Sequence, residues 1–194
     1  DVSHFLEDSK VSMGCLNLYK TPECHLTQQP FHKGDILVSL DGRIDNRENL
    51  IERLEEDSLN EQADVAIVAA AYLKWGVQLV DYLEGDFGVA IWDEVQEQLV
   101  LFTDHFAVRS VYYTHINNQL VFASEIKGIL PAIDYKAKFN EKYIVSYLSA
   151  YELAHGDTLY ENIYSVPRGH ILVWKSGEIE LKQYWELGQD DVEI

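Results

Sequence analysis

A chain of 194 residues suits one large domain or two small ones, and a hydrophobic share of 47% is that of an ordinary globular protein. The 15 Lys and Arg stand against 33 Asp and Glu, a formal net charge of -18, so phosphate backbones and anionic lipid surfaces are repelled; no nucleic-acid or membrane partner is expected. The apolar, charge-free run 65–73 is only about half of a membrane span, and no basic-then-apolar segment opens the chain, so a soluble, cytoplasmic protein without a signal peptide is expected.

In chain order, residues 36–40, apolar but for Ser39, predict a strand, and Asp41-Gly42 directly after them predicts a tight turn. Asp45, Asn46 and Asn49 lead into 50–54, where apolar residues recur on one helical face. Asp64 is placed to cap a second helix over 65–75, alanine-rich and therefore expected to be buried, with Gly76 as its stop. Residues 87–93 and 98–103 predict a hairpin turning at 94–97. A second hairpin, 111–114 with 119–123, reverses at Asn117-Asn118, a residue type that tolerates positive φ, so that four consecutive antiparallel strands follow one another. Ser124 is read as the cap of a short helix that Pro131 stops, Asn140 as the cap of another over 141–149, and 171–175 with 178–184 as a last strand pair turned at Ser176-Gly177. Hairpins interleaved with helices predict an α+β domain and not a doubly wound parallel sheet. One domain over 1–187 is expected, then an acidic linker over 188–194.

The chemistry-bearing residues say less. Cys15 and Cys24 are too few for a disulfide framework and fit neither a zinc knuckle nor a redox pair, so both read as buried reduced thiols. Asp104-His105 has no serine or cysteine beside it and reads as a surface or turn pair; His25 and His32 lack a third ligand, so no metal site is expected. Trp92, Tyr112 and Tyr113 read as core aromatics, and the charged residues of 52–56 as a solvated helix face. No phosphate loop, dinucleotide fingerprint or zinc-protease motif is present, so the residues by themselves stop at an acidic α+β domain.

The motifs Asp41-Gly42-Arg43-Ile44-Asp45-Asn46-Arg47, Asp64 opening a helix that closes in Ala-Ala-Tyr-Leu-Lys-Trp-Gly, and Glu84-Gly85-Asp86-Phe87-Gly88-Val89-Ala90-Ile91-Trp92-Asp93 resemble, in order and spacing, the amino-terminal half of asparagine synthetases. The loop from Asp104 to Tyr113, the junction Phe122-Ala123-Ser124-Glu125-Ile126-Lys127, the segment Val166-Pro167-Arg168-Gly169-His170 and Tyr184-Trp185 continue the likeness, which runs from about Val11 to Trp185. The resemblance implies the N-terminal-nucleophile hydrolase fold in its class II glutamine amidotransferase version, a four-layer αββα sandwich of two antiparallel sheets. It also implies an ATP-binding synthetase domain, with ATP and Mg, as the partner in the same parent protein; no cofactor is expected in this domain, and a homo-oligomer is possible.

A glutaminase of that class needs an N-terminal cysteine whose free α-amine serves as base. The chain opens on Asp1 and, counted back from the matched motifs, too late to include that strand; Cys15, inside a strand, carries no free amine. The family's oxyanion hole is an Asn-Gly-Glu sequence where this chain has Asp41-Gly42-Arg43, and an ionised Asp41 accepts hydrogen bonds where a donor is needed. The arginine that grips the glutamine carboxylate is matched by Asn17, and of the two acidic partners of its amine one is replaced by Arg43 and one kept as Asp64, whose role as a mere cap is equally open. Asn17, Asp41, Gly42, Arg43 and Asp64 thus form a vestigial glutamine pocket with no catalytic residue. The pattern, with Thr21-Pro22-Glu23 upstream, is similar to lasso-peptide cyclases and β-lactam synthetases, where the amidotransferase half is a relic, the other half adenylates a carboxylate, and a peptide or amino-acid substrate supplies the attacking amine. Two readings compete with an inert scaffold: a working glutaminase whose cysteine segment precedes Asp1, and a free-standing binding module with an acidic surface.

Overall fold

A computed structural model describes residues 2–7, 10–17, 28–133, 138–151 and 156–188. The strands are β1 (Val2–Glu7), β2 (Ser12–Asn17), β3 (Phe31–Lys33), β4 (Ile36–Ile44), β5 (Gly85–Asp93), β6 (Gln98–Thr103), β7 (Tyr112–Ile116), β8 (Gln119–Ala123), β9 (Tyr164–Ser165), β10 (His170–Lys175) and β11 (Glu178–Gln183). The α-helices are α1 (Arg47–Leu54), α2 (Asp64–Trp75), α3 (Ile126–Ile129) and α4 (Glu141–Leu148).

Every strand pairing is antiparallel, as the hairpin pattern predicts. A six-stranded sheet runs β11-β10-β6-β5-β4-β3, a three-stranded one β8-β7-β9, and β1 pairs with β2. The four consecutive antiparallel strands expected from the sequence are present, and the hairpins β5-β6 and β7-β8 belong to different sheets. The loop between them, from Asp104 to Val111, carries the chain across the gap.

The large sheet is covered on both faces, which is why β5 and β6 read as nearly unbroken apolar runs. With a side-chain period of two, Val38, Leu40, Val89, Ile91, Val100 and Phe102 face the helices α1 and α2. Leu37, Ala90, Trp92, Leu99, Leu101 and Leu172 face the opposite way and pack with Met13, Val111, Tyr113 and Phe122 from the second sheet's side. With α3 packed on β8 and β7, the layers run helix, sheet, sheet, helix: the expected α+β sandwich. Trp92 lies in the inter-sheet core; Tyr112 and Tyr113 are half-buried.

Several local expectations need correction. Asp41-Gly42 is no turn: β4 continues through it to Ile44, because Gly42 adopts φ +139° and so passes the Asp86 carbonyl at a distance no side chain would allow. Asp64 does not cap α2; it is the helix's first residue, behind Ala63, and its carboxylate is recruited elsewhere. Ser124 does not cap α3 either, since Glu125 holds that position without a side-chain bond, and Pro131 sits within a 3-10 turn, Leu130–Ile133, that extends the helix. Asn140 does cap α4, accepting the Tyr143 N–H at 3.1 Å, and Gly76 ends α2 at φ +59°. Of the charged stretch after Ile51, Glu52, Arg53 and Glu55 are exposed as expected, but Glu56 is partly covered by its pair with Lys33. Thr21, Pro22, Glu23, Cys24 and His25 lie outside the described residues.

Candidate functional site

Because β4 and β5 alternate, Ser39, Asp41 and Gly88 share the face that looks toward the second sheet. At that end the sandwich stays open as a cleft of about 550 Å³, walled by Gly14, Cys15 and Leu16 of β2, by Ser39 to Gly42 of β4, by Gly88 to Ala90 of β5, and by Arg109, Ser110, Ser124 and Glu125. A second hollow of about 500 Å³ adjoins it, shares Asp41, Arg109, Ser110, Ser124 and Glu125, and adds Lys127.

Asp41 and Gly42, two of the five residues singled out from the sequence, line the cleft. Arg43, next in the strand, is not among the lining residues; its guanidinium lies 2.7 Å from Asp45 and 3.0 Å from its cross-strand neighbour Asp86. The Asp45 hydrogen bond, the Asp45 charge and then the Asp86 charge hold Arg43 above its usual arginine pKa. Asp64 is also drawn off. One oxygen accepts the Ile44 N–H at 2.9 Å, the other pairs with Arg47 at 2.6 Å, and Arg47 in turn donates to the carbonyls of Leu59, Asn60 and Gln62. Asp64 thus ties the end of β4 to the start of both helices, a role that no local capping pattern reveals. Asn17 ends β2 one residue beyond the cleft-lining Leu16, and its side chain falls outside what is described.

Cys15 is a half-buried thiol in this wall. Burial raises its pKa, a hydrogen bond with Ser39 opposes the rise, and the Asp41 charge adds to it, so the sulfur is held as a thiol and is a poor nucleophile.

From the sequence, Arg109 and the loop from Asp104 have no role sharper than packing, and the structure gives both a place. Asp104 is 1% exposed and so not on the surface, although it does open a turn, its carbonyl accepting the Ala107 N–H at 3.1 Å. Its carboxylate accepts four backbone N–H groups, from Phe106 at 2.9 Å, Val108 and Arg109 at 3.1 Å, and Phe87 at 3.2 Å, so it knots the crossover loop onto β5. The loop ends with Arg109 over Gly88, whose missing side chain leaves the room: a Cβ there would stand 3.3 Å from the Arg109 carbonyl and 2.9 Å from Val111. His105 meets the rings of Tyr184 and Trp185 edge-on, at 5.7 and 5.1 Å, docking the closing segment on the same loop. An acidic residue straight after an apolar strand, before a loop that leaves the sheet, was the available signal.

A family model described as a glutamine amidotransferase domain matches residues 1–185. Among curated relatives the chain is similar to the amidase chry2 of Gibberella zeae, 28% identical over 96% of this chain and 28% of that protein. It is also similar to asparagine synthetase [glutamine-hydrolyzing] 2 of Bacillus subtilis, 31% identical over 82% of this chain and 23% of that one. The chain thus spans about a quarter of the length of these relatives. Among solved structures, the glutamine phosphoribosylpyrophosphate amidotransferase of B. subtilis, complexed with ADP and GMP, superposes with a TM-score of 0.57 at 16% identity, covering 90% of this chain and 35% of that one.

Proposed function

Because this chain belongs to the glutamine amidotransferase domain family, we propose that it is a degenerate member, without glutaminase activity, retained as a scaffold for an ATP-dependent, amide-forming synthetase domain of the same parent protein. The observation that carries this reading is the Asp41 carboxylate in the cleft beside Gly42. Amide hydrolysis passes through an oxyanion that needs donors aimed at it, and removing a single such donor costs about a hundredfold to a thousandfold in rate. Here the residue matched to the family's donor only accepts. Arg43, matched to an acidic partner of the glutamine amine, is a cation fastened to Asp45 and Asp86. Asp64, the remaining anion, is committed to Ile44 and Arg47.

The length of the relatives supports a synthetase partner, since the asparagine synthetase and the amidase extend far beyond the matched region. In that setting ATP and Mg belong to the partner domain, which activates a carboxylate for an amine already carried by a peptide or amino-acid substrate, as in the lasso-peptide cyclases and β-lactam synthetases the sequence resembles. The competing reading, an active glutaminase that supplies ammonia, draws support from Gly42, kept in the cleft, and from the relatives named as glutamine-hydrolyzing.

Release of glutamate from glutamine by the full-length parent protein decides between them. No turnover above background is expected, and steady turnover by the unmodified protein overturns the scaffold reading. In a parent whose gene supplies an N-terminal cysteine, release by the Asp41→Asn/Arg43→Glu double variant alone assigns the loss to these two positions.

A further inference from the structure

We propose that β11 is an interface between two copies of this chain, paired edge to edge about a two-fold axis centred on Leu181, so that two six-stranded sheets join into one. The large sheet ends in two unlike edges. β3 is three residues long and follows Pro30, and both features deter a foreign strand. β11 runs for six residues without proline or glycine, pairs with β10 in unbroken register, and is exposed along its whole length. Its outer edge has no strand beside it among the described residues. Ile179 and Leu181 are the cross-strand partners of Trp174 and Leu172, so they stand on the face toward the second sheet, 36% and 43% exposed. A regular strand with an open edge and apolar side chains along it invites pairing.

The charges of β11 select the occupant. Because side chains alternate, Glu178, Glu180 and Lys182 share the opposite face, where Lys182 pairs with Glu180 of its own strand at 3.0 Å. In a two-fold antiparallel pair the central residue faces its own copy, and the residues flanking it face each other crosswise. Only centres at residues 179 to 182 pair three or more residues of the strand. Centring on Glu180 or on Lys182 sets a like charge against itself, and centring on Ile179 sets Glu178 against the partner's Glu180. Centring on Leu181 opposes no like charges. It sets Glu180 against the partner's Lys182, Lys182 against the partner's Glu180, and the two leucines against each other. Directly opposite residues are the unit of sheet stabilisation, with opposite charges favouring a pairing and like charges disfavouring it. The strand is therefore complementary to itself in a single register. The formal net charge of -18 opposes association at a distance, a repulsion that about 0.15 M salt confines to roughly 8 Å.

Sedimentation velocity of the full-length protein in about 0.15 M salt tests the pairing. A concentration-dependent dimer is expected. Lys182→Glu sets glutamate against glutamate on both sides of the axis and should weaken the dimer at least ~10-fold, as should Glu180→Lys by opposing lysines. The double variant Glu180→Lys/Lys182→Glu restores opposite charges across the axis and should regain the dimer. Under oxidation, Leu181→Cys should give a disulfide-linked dimer that neither the unmodified protein nor Glu178→Cys gives, since directly opposite Cα atoms lie about 4.5–5.5 Å apart, within disulfide reach. A protein that stays monomeric and so leaves the edge to some other strand, a dimer that Lys182→Glu leaves intact, a double variant no tighter than the single ones, or no cross-link at position 181 overturns the proposal. The cross-link carries the native charges, so the test stays decisive even if a charge variant does not fold. Glutamate release does not enter these readings, and the pairing stands or falls apart from the scaffold reading.

Discussion

Asp41 stands directly opposite Gly88 across the β4–β5 ladder. The pair joins two features that look unrelated in sequence: a carboxylate in the cleft wall, and an empty side-chain site over which the crossover loop brings Arg109. Placing a side chain at position 88 therefore disturbs the cleft from beneath. Gly88→Ala should destabilise the domain by about 1–3 kcal/mol through overpacking against Val111 and the Arg109 backbone. Urea unfolding followed by circular dichroism measures this.

Gly42 is more tightly constrained. An alanine there would combine φ +139° with a Cβ 2.0 Å from the Asp86 carbonyl oxygen, between β4 and β5 of the large sheet. Gly42→Ala should cost more than Gly88→Ala, about 3 kcal/mol or more, since backbone strain adds to the clash. Equal unfolding midpoints for the two variants would show that β4 does not run through Gly42 as described.

Asp104 is the test of the crossover loop. In Asp104→Asn, one carboxylate oxygen becomes an NH₂ group, so either the pair of N–H groups from Phe87 and Arg109 or the pair from Phe106 and Val108 meets a donor. A loss of about 2–4 kcal/mol is expected, because buried donors are left without acceptors. Hydrogen exchange at the amides of 104–109 should accelerate more than exchange in α2.

Asp64 separates a cap from a clamp. Were it only a helix cap, Asp64→Ser would be nearly neutral, since serine caps as well as aspartate. A partner for the Ile44 N–H and for Arg47 is needed instead, so Asp64→Ser should cost about 2–4 kcal/mol. A change below 0.5 kcal/mol in urea midpoint analysis, the scale of an ordinary surface substitution, would return Asp64 to the cap role.

Two tyrosines set the alkaline limit. Burial raises the Tyr72 hydroxyl, with Gln98 opposing and Asp93 reinforcing, and burial followed by the charges of Asp104 and Asp81 raises Tyr184, both well above the ordinary 10.0. Tyr72 donates to Asp93 at 3.0 Å, and Tyr184 to the Thr103 carbonyl. A folded-state value above the unfolded one means that this stabilisation is complete below about pH 10 and is lost as the pH climbs toward the folded-state values. Ultraviolet titration of the 12 tyrosines should show a class that ionises only as the far-ultraviolet spectrum collapses. Tyr72→Phe should shrink that class.

Much of the scaffold was legible along the chain. Apolar runs over 36–40, 87–93 and 98–103, a reversal at Asn117-Asn118, the Asn140 cap and the Gly76 stop are local patterns, and local backbone preferences signal them without distant partners. The site was legible only as identities at matched positions. Asp41 and Gly42 do meet in the cleft, but the sequence could not say that Arg43 would be drawn to Asp86, or that Asp64 would serve a strand end 20 residues upstream.

What the order of residues determined, then, was the set of nearly unbroken apolar runs that bury both faces of one sheet, and with it the α+β sandwich and the family. What the tertiary structure decided was the partner of each polar group: Asp104 with four amides, Asp64 with Arg47, and Arg109 beside Asp41 in an open cleft. The physical reason is that apolar periodicity is a one-dimensional signal, written once per strand. A buried charge is placed by whichever donors the closed chain brings to it, and those come from elements far apart in sequence.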